Sequence, residues 1–352
     1  MKIELNKNLK KKPDFNDLGF GRYFTDHMYM VNYAENKGWF DERIVPYQSF
    51  TMDPATLVFH YSQTIFEGLK AYKDKENNIR LFRPSANFAR LNDSANRCCI
   101  PKIDEKAALN GLTELLKIEK DWIPNLPGTS LYIRPTIIAT DAVLGVRASS
   151  TYLFYIILSP VGAYYKNGFA PGKILIEDFY TRASSGGTGE YKMGANYAIS
   201  LKASEKAKAQ NFDQVLWLDG KEKKYIEEVG AMNIFFIIDN EVITPKLHGS
   251  ILPGITRDSV IKLLKDFGYK VTERQISVDE LYEAIKNKKL NESFGTGTAA
   301  VISPVGWFKY KDTEFAINGG KIGEVSKKLY NTLTGIQYGT AADKFNWSVI
   351  VK

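Results

Sequence analysis

Residues 184–200 read SSGGTGEYKMGANYAIS, and a single lysine, Lys192, stands there among Gly186, Gly187, Gly189 and Gly194. Lysines ordinarily occupy solvated faces, and burial lowers the pKa of the ammonium, the condition Schiff-base chemistry asks of an amine. Taken alone, the stretch fits a flexible Gly-rich loop with an exposed lysine better, since such loops are common. It does not carry the spacing of a nucleotide loop, GxxxxGK[ST], or of the dinucleotide fingerprint, GxGxxG. Partners for Lys192 elsewhere in the chain have to decide between the two.

At 352 residues the chain exceeds a typical single core, so two domains are expected, each able to bury an apolar interior without disulfides. A hydrophobic share of 44% with 25% charged residues is that of an ordinary soluble globular protein. The net charge of +7 arises from 47 basic against 40 acidic residues, and its one dense run, Lys10–Lys12, lacks interleaved aromatics. That run reads as a solvated tail, and no nucleic-acid partner is expected. The two cysteines, Cys98 and Cys99, are neighbours and form no disulfide framework. With neither a signal-peptide pattern nor a membrane-length apolar run of about 18 residues, a cytoplasmic location without membrane contact is expected. His27, His60 and His248 are scattered without metal-ligand spacing, so no metal is expected.

Along the chain, residues 20–33, 47–52 and 69–72 read as β-rich, and IRLF at 79–82 as a strand closed by Pro84. Ser85 is the expected N-cap of a helix bearing Phe88, Leu91 and Ala95 on one face, and on spacing alone Arg90 falls on its solvated side. A second helix is expected over 105–120. Alternation in Leu131-Tyr132-Ile133-Arg134 then turns Tyr132 and Arg134 to one face, a pair able to hold a carboxylate. The breaker-rich KNGFAPG sets the expected organisation: a small N-terminal α/β domain at 1–166, a linker at 167–172, and a large C-terminal α/β domain at 173–352 carrying Lys192. In that second part, Asp239-Asn240 reads as a hairpin turn, Gly268 as a helix stop, and Ser277 with Glu280 as a capping box.

Several features of the second half complement an amine. The helix entered after Leu252-Pro253-Gly254 presents the amides of Ile255 and Thr256 as an anion site. Gly295-Thr296-Gly297-Thr298-Ala299 is a second Gly-rich turn able to bring amides and a hydroxyl to a phosphate or carboxylate. Glu228 lies before an apolar strand, where an acid is costly without a cationic partner.

With these residues in view, the chain resembles the branched-chain amino-acid aminotransferases, the fold-type-IV group of pyridoxal-phosphate enzymes. The resemblance runs from about Phe20 to the C-terminus through FTDHM, FEGLKAY, LFRP with Arg90 seven residues after Arg83, SLYIRP, GEYKMGANYA, EEVGAMNIF, LPGITR and GTGTAA. It implies an α/β (α+β) two-domain architecture with the site at the domain interface. It implies pyridoxal 5'-phosphate as cofactor, and transfer of the amino group of L-leucine, L-isoleucine or L-valine to 2-oxoglutarate, giving L-glutamate. By position it makes Lys192 the Schiff-base lysine and proton carrier, Glu228 the partner of the pyridine nitrogen, and Tyr197 a donor to the phenolic oxygen. Arg90, Ile255, Thr256 and Thr298 become phosphate ligands, and Ala299 joins Thr298 at the substrate α-carboxylate. The implied substrate pocket is Phe20, Tyr61, Phe66, Tyr132 and Tyr164, with Arg134 for a glutamate side chain and Val146 reaching in from the other subunit of a homodimer. Glu227, beside Glu228, is expected outside the site, and Gly186 and Gly187 are expected to pack tightly. Two departures stand out: Ala231 replaces a common threonine, and Ala300 and Ser303 replace a CxxC pair of animal relatives. A D-amino-acid aminotransferase, an aminodeoxychorismate lyase, or a non-catalytic cofactor-binding protein would share Lys192 and Glu228.

Overall fold

The computed structural model describes residues 1–162 and 168–352, so Tyr164 and part of the expected linker lie outside the described residues. The chain divides into two compact units: Met1–Lys166, Tyr191–Gly194 and Gly335–Lys352 in the first, Asn167–Glu190 and Ala195–Thr334 in the second. The expected division into 1–166 and 173–352 is therefore interrupted twice. The short return at Tyr191–Gly194 is the consequential one, because it carries Lys192 into the first unit. There Met193 bridges Ile65 and packs against the apolar core. No periodicity in the sequence marks so short a visit.

The first unit is built on strands β1 (Lys2–Ile3), β2 (His27–Ala34), β3 (Gly38–Pro46), β4 (Thr64–Phe66), β5 (Leu69–Lys73), β6 (Ile79–Phe82), β7 (Ser130–Ala139) and β8 (Thr151–Val161). Its helices are α1 (Leu57–Tyr61), α2 (Pro84–Arg97) and α3 (Glu105–Ile118). The strand order β1-β3-β2-β8-β7-β5-β6 puts the long pair β7 and β8 mid-sheet, with β4 also on β7. Period-two alternation sends Leu131, Ile133 and Ile137 of β7, with Phe154, Ile156 and Leu158 of β8, into a core closed by Phe88 and Leu91 of α2 and Leu112 and Leu115 of α3. Tyr132, Arg134 and Thr136 consequently belong to the opposite face.

Three local expectations are corrected here. Residues 47–52 are irregular, because the ladder to β2 ends at Pro46, which has no N–H to extend it. Helix α2 starts earlier than Ser85: Arg83 is its N-cap in left-handed backbone (φ 51°), and Pro84 occupies the first turn, where a missing N–H costs nothing. Arg90 is buried rather than on a solvated face.

The second unit contains β9 (Gly172–Glu177), β10 (Gln214–Leu218), β11 (Ile226–Val229), β12 (Met232–Ile238), β13 (Glu241–Thr244), β14 (Lys270–Glu273), β15 (Leu290–Gly297), β16 (Val301–Tyr310) and β17 (Thr313–Ala316). Its helices are α4 (Ala195–Ala198), α5 (Leu201–Ala209), α6 (Ile255–Asp266), α7 (Val278–Lys286) and α8 (Glu324–Gln337), the last running into the first unit's C-terminal segment. The order is β11-β10-β9-β16-β15-β12-β13-β14, and β11 also pairs with β12, which closes the strands from β11 round to β12 into a ring. Ile174, Leu216, Ile234 and Phe236 fill its core. Asp239 and Asn240 both adopt positive φ (47° and 66°), as a type I′ hairpin requires. Gly268 ends α6 at φ 84°, and Ser277 accepts a hydrogen bond from the Glu280 amide at 3.0 Å. The single helix expected from Asn196 is split, since Ser200 donates its hydroxyl back to the Tyr197 carbonyl at 2.7 Å. Finally β18 (Ser348–Ile350) pairs with β6 in the first unit. Among the described residues no helix is long and apolar enough to cross a membrane.

Candidate active site

In the first unit Lys192 is held by its backbone on both sides. Its carbonyl accepts from the Phe66 amide at 3.0 Å, and its amide donates to the Ser94 hydroxyl at 3.0 Å. Ser94 in turn donates to the Arg90 carbonyl one turn earlier on α2, at 3.1 Å. The lysine Nζ lies 4.7 Å from the centroid of the Phe66 ring, and the Arg134 guanidinium lies 4.6 Å from the same ring. A flexible loop with an exposed lysine is thereby excluded: the segment is pinned to a strand and a helix.

Directly after Phe66, Glu67 is completely buried. Its carboxylate accepts from Arg90 Nε at 2.7 Å and Nη2 at 3.0 Å, from Asn87 Nδ2 at 2.7 Å, and from the Gly68 amide at 3.2 Å. Burial alone would raise its pKa; the Arg90 charge and hydrogen bonds, followed by the Lys192 charge and the Asn87 bond, outweigh this and hold it below the usual range.

On the outward face of β7, the Tyr132 hydroxyl accepts from Arg134 Nη2 at 3.0 Å, and the Tyr132 ring meets Phe20 edge-on at 5.0 Å. Gly68 leaves room for that tyrosine, since a Cβ there would sit 2.1 Å from the hydroxyl. Lys70 and Ser159 flank Tyr132 on the neighbouring strands, and burial pushes the Lys70 amine down to about 8. Among the described residues the buried Ser159 Oγ and Arg134 Nε have no hydrogen-bond partner, so this face holds polar atoms suited to a polar ligand. Phe20, Phe66, Tyr132, Arg134 and Lys192 are thus linked by a chain of ring and hydrogen-bond contacts. Tyr61 donates its hydroxyl to the Leu144 carbonyl, and Val146 nearby in sequence is 81% exposed.

In the second unit the corresponding centre is Glu228, 3% exposed on β11. Arg182 pairs with its Oε2 at 2.8 Å, and Oε1 accepts from Asn233 Nδ2 at 3.2 Å and the Leu252 amide at 3.1 Å. Asn233 also donates to the Leu252 carbonyl at 2.9 Å, which ties the segment entering α6 to the carboxylate. Gly254 is the N-cap of α6 and supplies no side-chain cap to its amides; a Cβ there would meet Asn233 Oδ1 at 2.0 Å. Thr256 is buried in the first turn, and Tyr197 is half-buried on α4. Arg182 donates further to the carbonyls of Ser250 (2.6 Å) and Gly189 (3.3 Å). Gly189 is the most tightly packed glycine of the Lys192 stretch, its Cβ 2.2 Å from the Ser250 carbonyl, and a Cβ at Gly187 would lie 3.0 Å from the Ser184 carbonyl. Gly186 instead has open space and a φ of +78°, a turn requirement rather than close packing.

Thr298 and Ala299 occupy the turn between β15 and β16, followed by Val301 at φ 60°, a left-handed conformation that β-branched residues rarely hold. The nearby Thr296 Oγ1 is buried without a partner among the described residues. Glu227 faces a different set: Ser250 donates its hydroxyl to it, His248 Nε2 is 3.8 Å away, and burial raises its pKa. Among the described residues no group of His, Cys, Asp or Glu side chains could hold a metal. Sequence reasoning missed Arg182, Asn233, Ser94 and the pairing of Glu67. Glu67 and Asn233 are polar residues among apolar neighbours, the one signal that was available, whereas Ser94 and Arg182 lie in polar stretches and carry none.

The model of the amino-transferase class IV family matches residues 64–306. The chain belongs to the class IV aminotransferases. This class IV aminotransferase is 58% identical to branched-chain-amino-acid aminotransferase 2 of Bacillus subtilis (strain 168), over all of this chain and 97% of that one. It is 52% identical to branched-chain-amino-acid transaminase 1 of the same organism, over 99% of both chains. Among solved structures it resembles the Escherichia coli branched-chain amino acid aminotransferase, with a TM-score of 0.76 at 26% identity, covering 93% of this chain and 99% of that chain. It also shares the fold of the PLP-form branched-chain amino acid aminotransferase from Thermobaculum terrenum, with a TM-score of 0.75 at 23% identity, covering 92% of this chain and 98% of that chain.

Proposed function

We propose that this chain uses pyridoxal 5'-phosphate to move the amino group of L-leucine, L-isoleucine or L-valine reversibly to 2-oxoglutarate. The donor set suits that cofactor. Glu228 is a buried carboxylate fixed by Arg182, Asn233 and the Leu252 amide, fit to accept an N–H from a pyridine nitrogen. The start of α6 at Ile255 and Thr256, whose Gly254 N-cap brings no side chain, with the Thr296 hydroxyl that meets no partner among the described residues, suits a phosphate and a carboxylate. Arg90 is assigned to the phosphate and Tyr197 to the phenolic oxygen by their family positions. When bound, the cofactor supplies an electron sink for the substrate's α-carbon.

The chain's own residues then divide the work. Lys192 Nζ holds the cofactor and, once displaced, acts as base and acid to carry the α-proton. Phe20, Phe66 and Tyr132, joined on family position alone by Tyr61 and Tyr164, are assigned to an apolar substrate pocket, in which burying a Leu, Ile or Val side chain contributes about 1.5–3 kcal/mol. Arg134, with the Tyr132 hydroxyl, accepts the side-chain carboxylate of glutamate. One observation carries this dual specificity most strongly: the Arg134–Tyr132 pair and the Lys192 amine share the Phe66 ring. The exposed Val146 supports a homodimer in which that residue reaches the partner subunit. A cytoplasmic enzyme working on small molecules, without nucleic acid or membrane partners, completes the proposal.

The direct test is turnover with 2-oxoglutarate as acceptor. L-leucine, L-isoleucine and L-valine are expected to give L-glutamate and D-alanine none; D-alanine as the preferred donor would transfer the assignment to the D-amino-acid branch of the family.

A further inference from the structure

The buried Glu67 and the two cations it serves go beyond this assignment of roles. Arg90 reaches it from α2 through two guanidinium nitrogens, at 2.7 and 3.0 Å. Lys192, whose charge also helps to hold the Glu67 carboxyl down, sits on the returning segment, whose carbonyl is bonded by the amide of Phe66, the residue before Glu67. Among the described residues the other hydrogen bonds to the carboxylate, from Asn87 Nδ2 and the Gly68 amide, come from neutral donors. One carboxylate with no solvent access therefore answers two positive groups. A buried ion pair is weak evidence of stabilisation, because desolvation offsets most of the attraction, so its presence beside an amine calls for another reason.

We propose that Glu67 is a positioning residue that cancels the Arg90 charge at Lys192, so that the lysine–cofactor linkage keeps its proton. The proposal rests on the assignment of Lys192 as the cofactor-bearing lysine. An uncompensated buried guanidinium beside an amine or imine favours the neutral form of that nitrogen, whereas an uncompensated carboxylate favours the charged form. Glu67 balances the first effect, and its bidentate grip leaves the guanidinium one orientation. Ser94 completes the frame, bonding the Lys192 amide with its oxygen and the Arg90 carbonyl with its hydrogen. Removing either member of the pair must then shift the linkage in opposite directions.

The experiment is a pH titration of the visible absorbance of purified protein saturated with pyridoxal 5'-phosphate, from mildly acidic to mildly alkaline buffer, in wild type, Glu67→Gln, Glu67→Asp and Arg90→Gln. Borohydride reduction and mass spectrometry are run alongside to identify the labelled residue. Glu67→Gln is expected to lower the titration midpoint by about one pH unit or more and Arg90→Gln to raise it, the scale of a neighbouring charge. Glu67→Asp, which keeps the charge and alters the packing, is expected to stay within about half a unit of wild type. A purely structural Glu67 would lower thermal stability and leave all midpoints together, which overturns the proposal. If Glu67→Gln does not fold, Arg90→Gln decides alone: an upward shift supports the proposal, and an unchanged or lowered midpoint overturns it. Label on a residue other than Lys192 in wild type would instead overturn the functional assignment on which the proposal stands.

Discussion

Replacing Gly68 by alanine probes the packing behind the proposed carboxylate pair. The new Cβ would stand 2.1 Å from the Tyr132 hydroxyl and 2.9 Å from its ring carbon, where ordinary contact begins at 3.4 Å. Tyr132 has to retreat by roughly 1 Å, the scale at which overpacking costs about 1–3 kcal/mol. The Arg134 bond to that hydroxyl, now 3.0 Å, is lost with the movement, removing the second contact expected for a side-chain carboxylate. At about 2–4 °C per kcal/mol the melting temperature should fall by roughly 2–12 °C. Loss of a charged hydrogen bond worth about 1.5–3 kcal/mol should raise KM for L-glutamate and 2-oxoglutarate by roughly 10- to 100-fold. L-leucine, which needs no such bond, should change much less. The measurements are calorimetry and steady-state kinetics with both donors. An alanine variant that melts like wild type and keeps the wild-type ratio of leucine to glutamate efficiency would refute the packing of Gly68 on Tyr132.

Other consequences are open to similar tests. Arg182→Ala strands the buried Glu228 and should cost about 3–5 kcal/mol in denaturant unfolding, with cofactor affinity falling in parallel; an effect below about 1 kcal/mol would contradict the pairing. Glu227 has a raised pKa in the folded chain, so its stabilising share is complete below the ordinary glutamate value of 4.5 and is lost as pH rises through the folded value. Glu227→Gln should therefore gain stability relative to wild type as pH increases above 4.5, and a flat difference across pH would show that the carboxyl is not buried as described. Val301→Gly removes a buried side chain worth about 1.5–3 kcal/mol but also relieves left-handed strain of about 1–3 kcal/mol. Its unfolding free energy should stay close to wild type, and a loss above about 3 kcal/mol would argue against strain at that turn.

Local features were legible in the sequence because short-range chemistry dictates them. The Asp239-Asn240 turn, the Gly268 stop and the Ser277 cap each follow from one residue's backbone preference or hydroxyl. The outward pairing of Tyr132 and Arg134 follows from strand period alone. What escaped depends on contacts distant in sequence. The Glu67 pairing with Arg90 spans 23 residues and the Ser94 bond to Lys192 spans 98, and neither leaves a periodic trace. Helical spacing puts Arg90 on a solvated side because it cannot reveal a carboxylate buried on a neighbouring strand. The Gly-rich stretch misleads in part in the same way: the most crowded glycine is Gly189, fixed by a carbonyl at Ser250, with Gly187 close to the Ser184 carbonyl and Gly186 in open space.

Whether Lys192 carries the cofactor and moves the amino group of a branched-chain amino acid can be decided in a single half-reaction. Purified protein saturated with pyridoxal 5'-phosphate is mixed with L-leucine in the absence of 2-oxoglutarate, and the visible spectrum and released 2-oxo acid are recorded together, with Lys192→Ala in parallel. The wild-type band is expected to convert with about one 2-oxo acid released per cofactor, and Lys192→Ala to do neither. A wild-type band that persists with no 2-oxo acid released, or a Lys192→Ala variant that turns over like wild type, would contradict the assignment.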